Sequence, residues 1–143
     1  MTKPPLASIL IVEDDGDLLE VLKYVFEDAG YQTFAASSGA EALELAGSES
    51  IDLVILDISM SGVSGFDVAR ALRADAGTAG ILIAMHTGWS EEDVRSQFAD
   101  FDLFMPKVDD AATLLRRVSV ALESRKPRPE TDANGEEANA VFP

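Results

Sequence analysis

The segment Ile-Asp-Leu-Val-Ile-Leu-Asp, at residues 51–57, constrains the fold more than any other part of the chain. Its four central residues, 53–56, are all apolar, so a strand formed here buries both of its faces. Such strands are typical of the middle of a parallel sheet, whose carboxyl edge opens onto the crevice where these sheets bind ligands. Asp57 ends this segment, and we therefore predict that its carboxyl group lies at a ligand-binding edge.

Four further apolar segments alternate with amphipathic ones. Besides residues 51–57, we predict strands at residues 7–12, 31–36, 81–85 and 103–105, with a helix after each strand. Helix boundaries are indicated by a capping box at residues 38–41, by Gly47 after the second helix, and by Asp109 or Asp110 before the last helix. The fourth helix, at residues 90–99, has a weak apolar face. Five alternations predict a doubly wound α/β fold, a parallel sheet with helices on both faces.

The composition excludes several classes of function. The 143 residues suffice for one domain, expected at residues 1–124, while residues 125–143 are polar, acidic and rich in proline, as in a disordered tail. With no cysteine and one histidine, the chain cannot form a thiolate metal site or a zinc site built on histidines. The net charge of −15 opposes direct binding to nucleic acid. No apolar segment is long enough to cross a membrane, so we expect a cytoplasmic protein.

Acidic residues follow two of the predicted strands. Glu13 and Asp14 come after the first strand and Asp57 ends the third, and these strands are neighbours or nearly so in the common orders of doubly wound sheets. The carboxylates would repel one another unless a hard cation such as Mg²⁺ lay between them. Glu13 and Asp14 could instead cap the following helix, but capping does not account for Asp57.

Two hydrogen-bond donors follow other strands of the predicted sheet. The hydroxyl of Thr87 comes after the fourth strand and the ammonium of Lys107 after the fifth. A carboxylate on a rigid strand, a metal site, a hydroxyl and an ammonium are what in-line transfer of a phosphoryl group to a carboxylate requires. The pattern therefore fits the transfer of a phosphoryl group to a carboxylate.

These motifs, in this order and spacing, resemble the receiver domain of two-component response regulators, in particular the single-domain chemotaxis type. They are Ile-Leu-Ile-Val-Glu-Asp-Asp at residues 9–15, Asp-Ile-Ser-Met-Ser-Gly-Val-Ser-Gly at 57–65, His-Thr-Gly at 86–88 and Pro-Lys at 106–107. The resemblance covers residues 7–122 and implies the flavodoxin-like strand order 2-1-3-4-5.

The resemblance also implies an activity, a cofactor and partners. Asp57 would take a phosphoryl group from a histidine kinase or a histidine phosphotransfer protein, and a conformational change would carry the signal to a downstream protein. Such a chain is not an enzyme in the usual sense, because it catalyses only its own phosphorylation and slow self-dephosphorylation. We expect it to be a monomer or a weak dimer. The implied Mg²⁺ ligands are Glu13, Asp14, Asp57 and the backbone carbonyl of Ser59.

Further roles follow from the same resemblance. Thr87 and Lys107 would bind the phosphoryl oxygens, and Asp15 would cap the first helix. Thr87 and Phe104 would form the switch that responds to phosphorylation, although an aromatic residue at position 104 is also what simple packing would favour. His86, the only histidine, is expected to be structural rather than a relay or metal ligand.

Two departures from the family pattern affect the site. Val108 follows Lys107 where receivers usually have a proline after a cis bond, and a cis bond before a non-proline residue costs about 3–4 kcal/mol. Trp89 stands two residues after Thr87, where its indole could lie over the site and slow the self-dephosphorylation of Asp57.

Other functions fit the residues less well. A phosphatase of the haloacid dehalogenase type would need a second acid at position 59, where Ser59 stands. A flavin or dinucleotide carrier would need a phosphate-binding loop after the first strand, where the acids would repel phosphate. Two alternatives stay open: a receiver-like docking module that is not phosphorylated, and the receiver fragment of a hybrid histidine kinase.

Overall fold

A computed structural model describes residues 5–125. Within them, five strands alternate with five helices, as predicted. In chain order the elements are β1 (Ser8–Val12), α1 (Gly16–Asp28), β2 (Gln32–Ala36), α2 (Gly39–Ser48), β3 (Leu53–Leu56), α3 (Gly65–Ala74), β4 (Leu82–Thr87), α4 (Glu91–Gln97), β5 (Leu103–Pro106) and α5 (Ala111–Ser124). The predicted disordered tail, residues 125–143, lies outside the described residues apart from Arg125, so the domain boundary stays a prediction.

The strands form one parallel sheet in the order β2-β1-β3-β4-β5, which confirms the predicted topology. β1 lies between β2 and β3, and Val12 is level with Leu56. The backbone N–H of Asp57 donates to the carbonyl of Val12 at 3.1 Å. The residues that follow β1 and β3 therefore meet at the same edge of the sheet.

Both faces of the sheet are covered, because alternate residues of each strand enter different core layers. In β3, Val54 and Leu56 pack in the layer that holds residues of α2 and α3, while Leu53 and Ile55 pack in the layer that holds residues of α1 and α5. All four side chains are at most 1% exposed. Burying each of them contributes about 1.5–3 kcal/mol, so β3 is a firmly held support for Asp57.

Short polar side chains begin the helices. Asp15 accepts hydrogen bonds from the N–H groups of Asp17 and Leu18, which confirms its capping role. Asp110, not Asp109, caps α5 by accepting from the N–H of Thr113 at 2.9 Å.

The second helix corrects two details of the sequence prediction. Ser38 accepts from the N–H of Glu41 at 3.2 Å as expected, but the Glu41 carboxylate returns to the N–H of Ser37 instead of Ser38. Gly47 does not end the helix, since α2 continues to Ser48.

The fourth strand and helix also differ from the prediction. β4 runs to Thr87 rather than residue 85, so His86 and Thr87 belong to the strand. α4 ends at Gln97 instead of residue 99 and buries only Val94, as its weak apolar face indicated. No helix within residues 5–125 is long and apolar enough to span a membrane.

Arg73 of α3 fixes the loop between α4 and β5. Its guanidinium donates to the carbonyl of Ile81 at 2.6 Å and to the carboxylate of Asp102 at 2.8 Å, and it lies 3.3 Å from a carboxylate oxygen of Asp100. Asp102 also accepts from the N–H of Ile83. This arrangement holds the loop after α4 to the amino end of β4.

Arg125 makes a similar attachment at the end of α5. Its guanidinium donates to the backbone carbonyl of Asp52 at 2.9 Å and to its carboxylate at 2.7 Å. The other carboxylate oxygen of Asp52 accepts from the N–H of Ser8. The end of α5 is thus tied to the residues at the starts of β1 and β3.

Candidate functional site

Asp57 lies directly after β3, with a side chain that is only 3% exposed. One carboxylate oxygen, Oδ1, accepts from the N–H of Ser59 at 3.3 Å. The other, Oδ2, lies 3.3 Å from the ammonium of Lys107. The sheet therefore presents one carboxylate with a cation on one side and a backbone donor on the other.

Glu13 is the second buried acid of the site, since the whole residue is only 1% exposed. Its Oε2 accepts from the N–H of Asp15 at 3.2 Å, and its Oε1 lies 3.2 Å from the Lys107 ammonium, outside the angles of a hydrogen bond. Burial, followed by repulsion from Asp57, raises the pKa of Glu13 above its ordinary value, although Asp15 and Lys107 act in the opposite direction. Oε1 is thus a buried oxygen that forms an ion pair with Lys107 but accepts no hydrogen bond.

Lys107 reaches both carboxylates from the end of β5. Its backbone N–H donates to the carbonyl of Thr87 at 2.9 Å, which places it beside the end of β4. Burial lowers the pKa of Lys107, but the charges of Asp57 and Glu13 more than offset this, so the pKa lies above its ordinary value. Lys107 is therefore a permanent cation at neutral pH. No cis peptide bond occurs within residues 5–125, and the side chain of Val108 points into solvent, 92% exposed.

The three acids predicted to converge do so. Carboxylate oxygens of Glu13, Asp14 and Asp57 lie within 4.8 Å of one another. Asp14 is exposed, and its Oδ2 accepts from the N–H of Ser61 at 3.2 Å, which ties the loop after β3 to the end of β1. Three oxygen donors, one of them buried without a hydrogen bond, suit a hard divalent cation such as Mg²⁺. This acidic cluster is consistent with the Mg²⁺ site typical of receivers.

Thr87 and Trp89 lie on the opposite side of Asp57 from β1. The hydroxyl of Thr87, which is buried, accepts from the backbone N–H of Trp89 at 3.1 Å. The indole N–H of Trp89 donates to the hydroxyl of Ser59 at 3.3 Å, and its ring meets Phe66 edge-on with a centroid separation of 5.5 Å. Trp89 therefore points toward the loop after β3, a direction that the sequence did not determine.

Two other candidate residues lie in the core around the site. Phe104 is half-buried and packs against the core layer that contains Met85 and Val94, with its ring centroid 6.4 Å from that of Phe101. His86 is buried, and its burial, followed by the charge of Lys107, lowers its pKa to about 4. His86 is therefore neutral at pH 7, in agreement with a structural role.

Gly65 is a residue of the site that the sequence showed only as the end of the motif at residues 57–65. A Cβ added there would lie 2.3 Å from the carbonyl oxygen of Asp57 and 2.6 Å from the Cα of Ile58. The first turn of α3 thus packs directly on the backbone that carries Asp57. The spacing of glycines in the segment 57–65 was the only sequence signal for this contact.

A model of the response regulator receiver domain family matches residues 9–107, which include Glu13, Asp14, Asp57, Thr87 and Lys107. The chain belongs to the response regulator receiver family. It is therefore a receiver of two-component signal transduction, a family that works with histidine kinases and is not generally a class of ordinary enzymes.

Individual relatives agree with this assignment. Response regulator MprA of Mycolicibacterium vanbaalenii is 34% identical over 134 residues, which are 94% of this chain and 57% of MprA. The signal receiver domain of a histidine kinase from Syntrophus aciditrophicus has a TM-score of 0.77 and 30% identity, covering 89% of this chain and 98% of that one. TrrA of Thermotoga maritima, solved in complex with Mg²⁺ and BeF, has a TM-score of 0.74 and 31% identity, covering 81% and 99%. The chain spans about half the length, or less, of the curated relatives it matches.

Proposed function

We propose that this receiver accepts a phosphoryl group on Asp57 from a phosphohistidine of a histidine kinase or a histidine phosphotransfer protein, and signals to a protein partner by a change of conformation. One observation carries the proposal. The Asp57 carboxylate stands at the carboxyl end of the central strand, 3.3 Å from an ammonium and within 4.8 Å of oxygens from two further acids. A carboxylate confined in this way, beside fixed positive charge, is suited to bond with an anionic phosphoryl group.

The transfer needs one bond to form and one to break. An oxygen of the Asp57 carboxylate attacks phosphorus as the bond from phosphorus to the imidazole nitrogen breaks. The imidazole leaves with that electron pair and is neutral because its other nitrogen carries a proton. Lys107, protonated at neutral pH, lies within reach to pair with a phosphoryl oxygen. The Thr87 hydroxyl accepts from Trp89, so its own proton is free for a phosphoryl oxygen.

A divalent cation completes the proposed site. Mg²⁺ would be held by Glu13, Asp14, Asp57 and the backbone carbonyl of Ser59, and when bound it neutralises the charge that accumulates on the acids and the phosphoryl oxygens. The clustered oxygens support this assignment, as does the Oε1 of Glu13, which is buried and accepts no hydrogen bond.

Output would begin at the switch formed by Thr87 and Phe104. Thr87 is connected through Trp89 to the start of α4, a helix that buries a single side chain, so a small movement at Thr87 could reposition α4 at low cost. The partner would be a protein, since the net charge of −15 opposes nucleic acid. We propose a monomer or weak dimer acting in the cytoplasm, with residues 1–124 as the receiver and 125–143 as a tail.

The relatives leave the context of this receiver as a further proposal. The Syntrophus aciditrophicus receiver belongs to a histidine kinase, and MprA is a longer response regulator. The same phosphoacceptor chemistry would serve a stand-alone receiver or the receiver of a hybrid kinase.

Incubation with Mg²⁺ and acetyl phosphate or phosphoramidate tests the proposal. Intact mass spectrometry should show one added phosphoryl group, and Asp57→Asn should show none. Asp67→Asn, a change at an exposed acid on α3, serves as the matched control and should be labelled like the wild type. A wild-type chain that takes up no phosphoryl group from either donor would instead indicate a docking module.

A further inference from the structure

The position of the Lys107 ammonium depends on the turn that follows β5, because a lysine side chain is a long flexible stem. The N–H of Lys107 donates to the carbonyl of Thr87, and the N–H of Asp109 donates to the carbonyl of Pro106 at 3.0 Å, which closes the turn. At the far end, Asp110 caps α5. The side chains between these fixed ends decide how firmly the turn is held.

One of these side chains points into solvent and the other into the protein. Val108 is 92% exposed and adds almost no packing. The side chain of Asp109 is only 20% exposed, and its Oδ2 lies 3.5 Å from Nε of Arg117, about two turns into α5. This Oδ2 is buried and accepts no hydrogen bond. Since a buried carboxylate oxygen is costly without a partner, the nearby guanidinium of Arg117 is what keeps Asp109 turned inward.

We propose that the ion pair between Asp109 and Arg117 positions Lys107, because it holds the turn in the place from which the ammonium reaches Asp57. The proposal rests on the phosphorylation of Asp57 proposed above and adds two positioning residues to it. With the turn held, the ammonium lies 3.3 Å from the Asp57 carboxylate, where it can pair with an incoming phosphoryl oxygen. With the turn loose, the ammonium spends part of its time elsewhere, and transfer to Asp57 slows.

The reactivity of the Lys107 amine reports its position without any phosphorylation. Burial lowers the pKa of Lys107, but the charges of Asp57 and Glu13 raise it above its ordinary value. Acetic anhydride attacks only the neutral amine, so Lys107 should react slowly while it lies between the two acids. A loose turn lowers the pKa, exposes the amine and increases its acetylation. Lys23, which pairs with Glu27 on the surface, is the reference amine in the same chain.

Variants at the two ends of the ion pair change the net charge in opposite directions. Asp109→Asn removes a negative charge and Arg117→Met a positive one, so a long-range effect of charge would change each rate in opposite directions. Positioning predicts the same direction for both. Each variant should increase acetylation of Lys107 relative to Lys23, and slow phosphoryl labelling, by about 5-fold, the upper end for a partly exposed ion pair. The double variant should match the single ones, because both changes break one interaction.

Two further variants separate positioning from a general structural role. Arg116→Met changes the neighbouring exposed arginine of α5 and is the matched control, so it should leave both rates at the wild-type values. Arg117→Lys keeps the charge and should stay closer to the wild type than Arg117→Met. A residue that only stabilised the fold would leave Lys107 and Lys23 equally affected.

The experiment uses the full chain in two separate arms. Acetylation is measured by peptide mass spectrometry without donor or Mg²⁺, and phosphoryl labelling by intact mass with phosphoramidate and Mg²⁺. Absence of label on the wild type would defeat the proposed function, and the acetylation arm would still decide whether the ion pair positions Lys107. Lys107 acetylation that is unchanged in Asp109→Asn and Arg117→Met, or that moves in opposite directions, would overturn the positioning role. Unchanged labelling rates in both variants of a chain that is labelled would overturn it as well.

Discussion

Replacement of Lys107 by methionine tests how the acidic site is held together without metal. The ammonium lies 3.2 Å from Glu13 Oε1 and 3.3 Å from Asp57 Oδ2, and both carboxylates are buried. Coulomb's law with an effective dielectric constant of about 20 gives about 5 kcal/mol of attraction for each pair at this separation. Methionine fills much of the same space without charge, so the variant leaves two like charges buried beside each other.

Two effects bring the expected loss of stability below the total of these attractions. Lys107 is 32% exposed, so water screens part of each interaction, and Glu13 can take up a proton because its pKa is already raised. Removal of one partner from a buried ion pair costs about 3–5 kcal/mol, and we expect Lys107→Met to lose about 3 kcal/mol at mildly alkaline pH. A carboxyl group whose pKa is raised in the folded chain lowers the free energy of unfolding as the pH rises through that raised pKa. The stability lost in Lys107→Met should therefore shrink as the pH falls toward 4.5, the ordinary pKa of Glu13.

Urea unfolding followed by circular dichroism, with a chelator present, measures the loss. Lys23→Met is the matched control, because Lys23 pairs with Glu27 at 3.5 Å on the surface and such pairs contribute less than about 1 kcal/mol. Added Mg²⁺ should return part of the lost stability of Lys107→Met, since it supplies the missing positive charge. A loss no larger than that of Lys23→Met, or one equal at acid and alkaline pH, would refute this account of the site.

Three further predictions concern single residues. His86→Gln should make the free energy of unfolding depend less on pH between 6.5 and 4. Because the pKa of His86 is about 4 in the folded chain and ordinarily 6.5, the wild type loses about 3 kcal/mol of stability as the pH falls through this range. A variant that loses stability as steeply in urea melts would contradict this. Gly65→Ala should destabilise the folded chain by about 1–3 kcal/mol and slow phosphoryl labelling of Asp57, because the added Cβ would overlap the backbone at Asp57. Gly47→Ala, which has open space around it, should do neither. Equal thermal melts of the two variants would argue against the close contact at Gly65. Asp14→Ala should weaken Mg²⁺ binding at least about 10-fold in a calorimetric titration. It should leave the stability of the fold nearly unchanged, because the Asp14 side chain is exposed. A variant that binds Mg²⁺ with wild-type affinity would show that Asp14 is not a metal ligand.

The sequence was informative where one physical rule decides the outcome. Apolar residues at all four positions 53–56 can only be buried from both sides, and this places β3 inside the sheet. Once β1 and β3 are parallel neighbours, Glu13 and Asp57 must meet at their carboxyl ends. The interior position of β3 and the convergence of the acids could therefore be predicted from the residues, whereas the full strand order was implied by the family resemblance.

Features that depend on contacts between distant residues could not be predicted in this way. The direction of Trp89 depends on a hydroxyl thirty residues earlier, that of Ser59. Arg73 bonds to main-chain carbonyls, which have no sequence signature. Gly47 costs about 1 kcal/mol relative to alanine within a helix, but α2 continues past it and gains the bond from the N–H of Glu49 to the carbonyl of Leu45.

The attachment of Arg125 to Asp52 has a practical consequence for labelling this protein. Asp52 and Asp57 lie just outside the two ends of β3, and an extended segment of this length spans about 17 Å. A dye or affinity handle joined after Arg125 would start at the edge of the sheet opposite the proposed phosphoacceptor, so it would leave Asp57 clear for a donor. Trp89 lies at the Asp57 edge and fluoresces. Energy transfer from Trp89 to an acceptor dye placed after Arg125 would therefore measure a distance across the sheet.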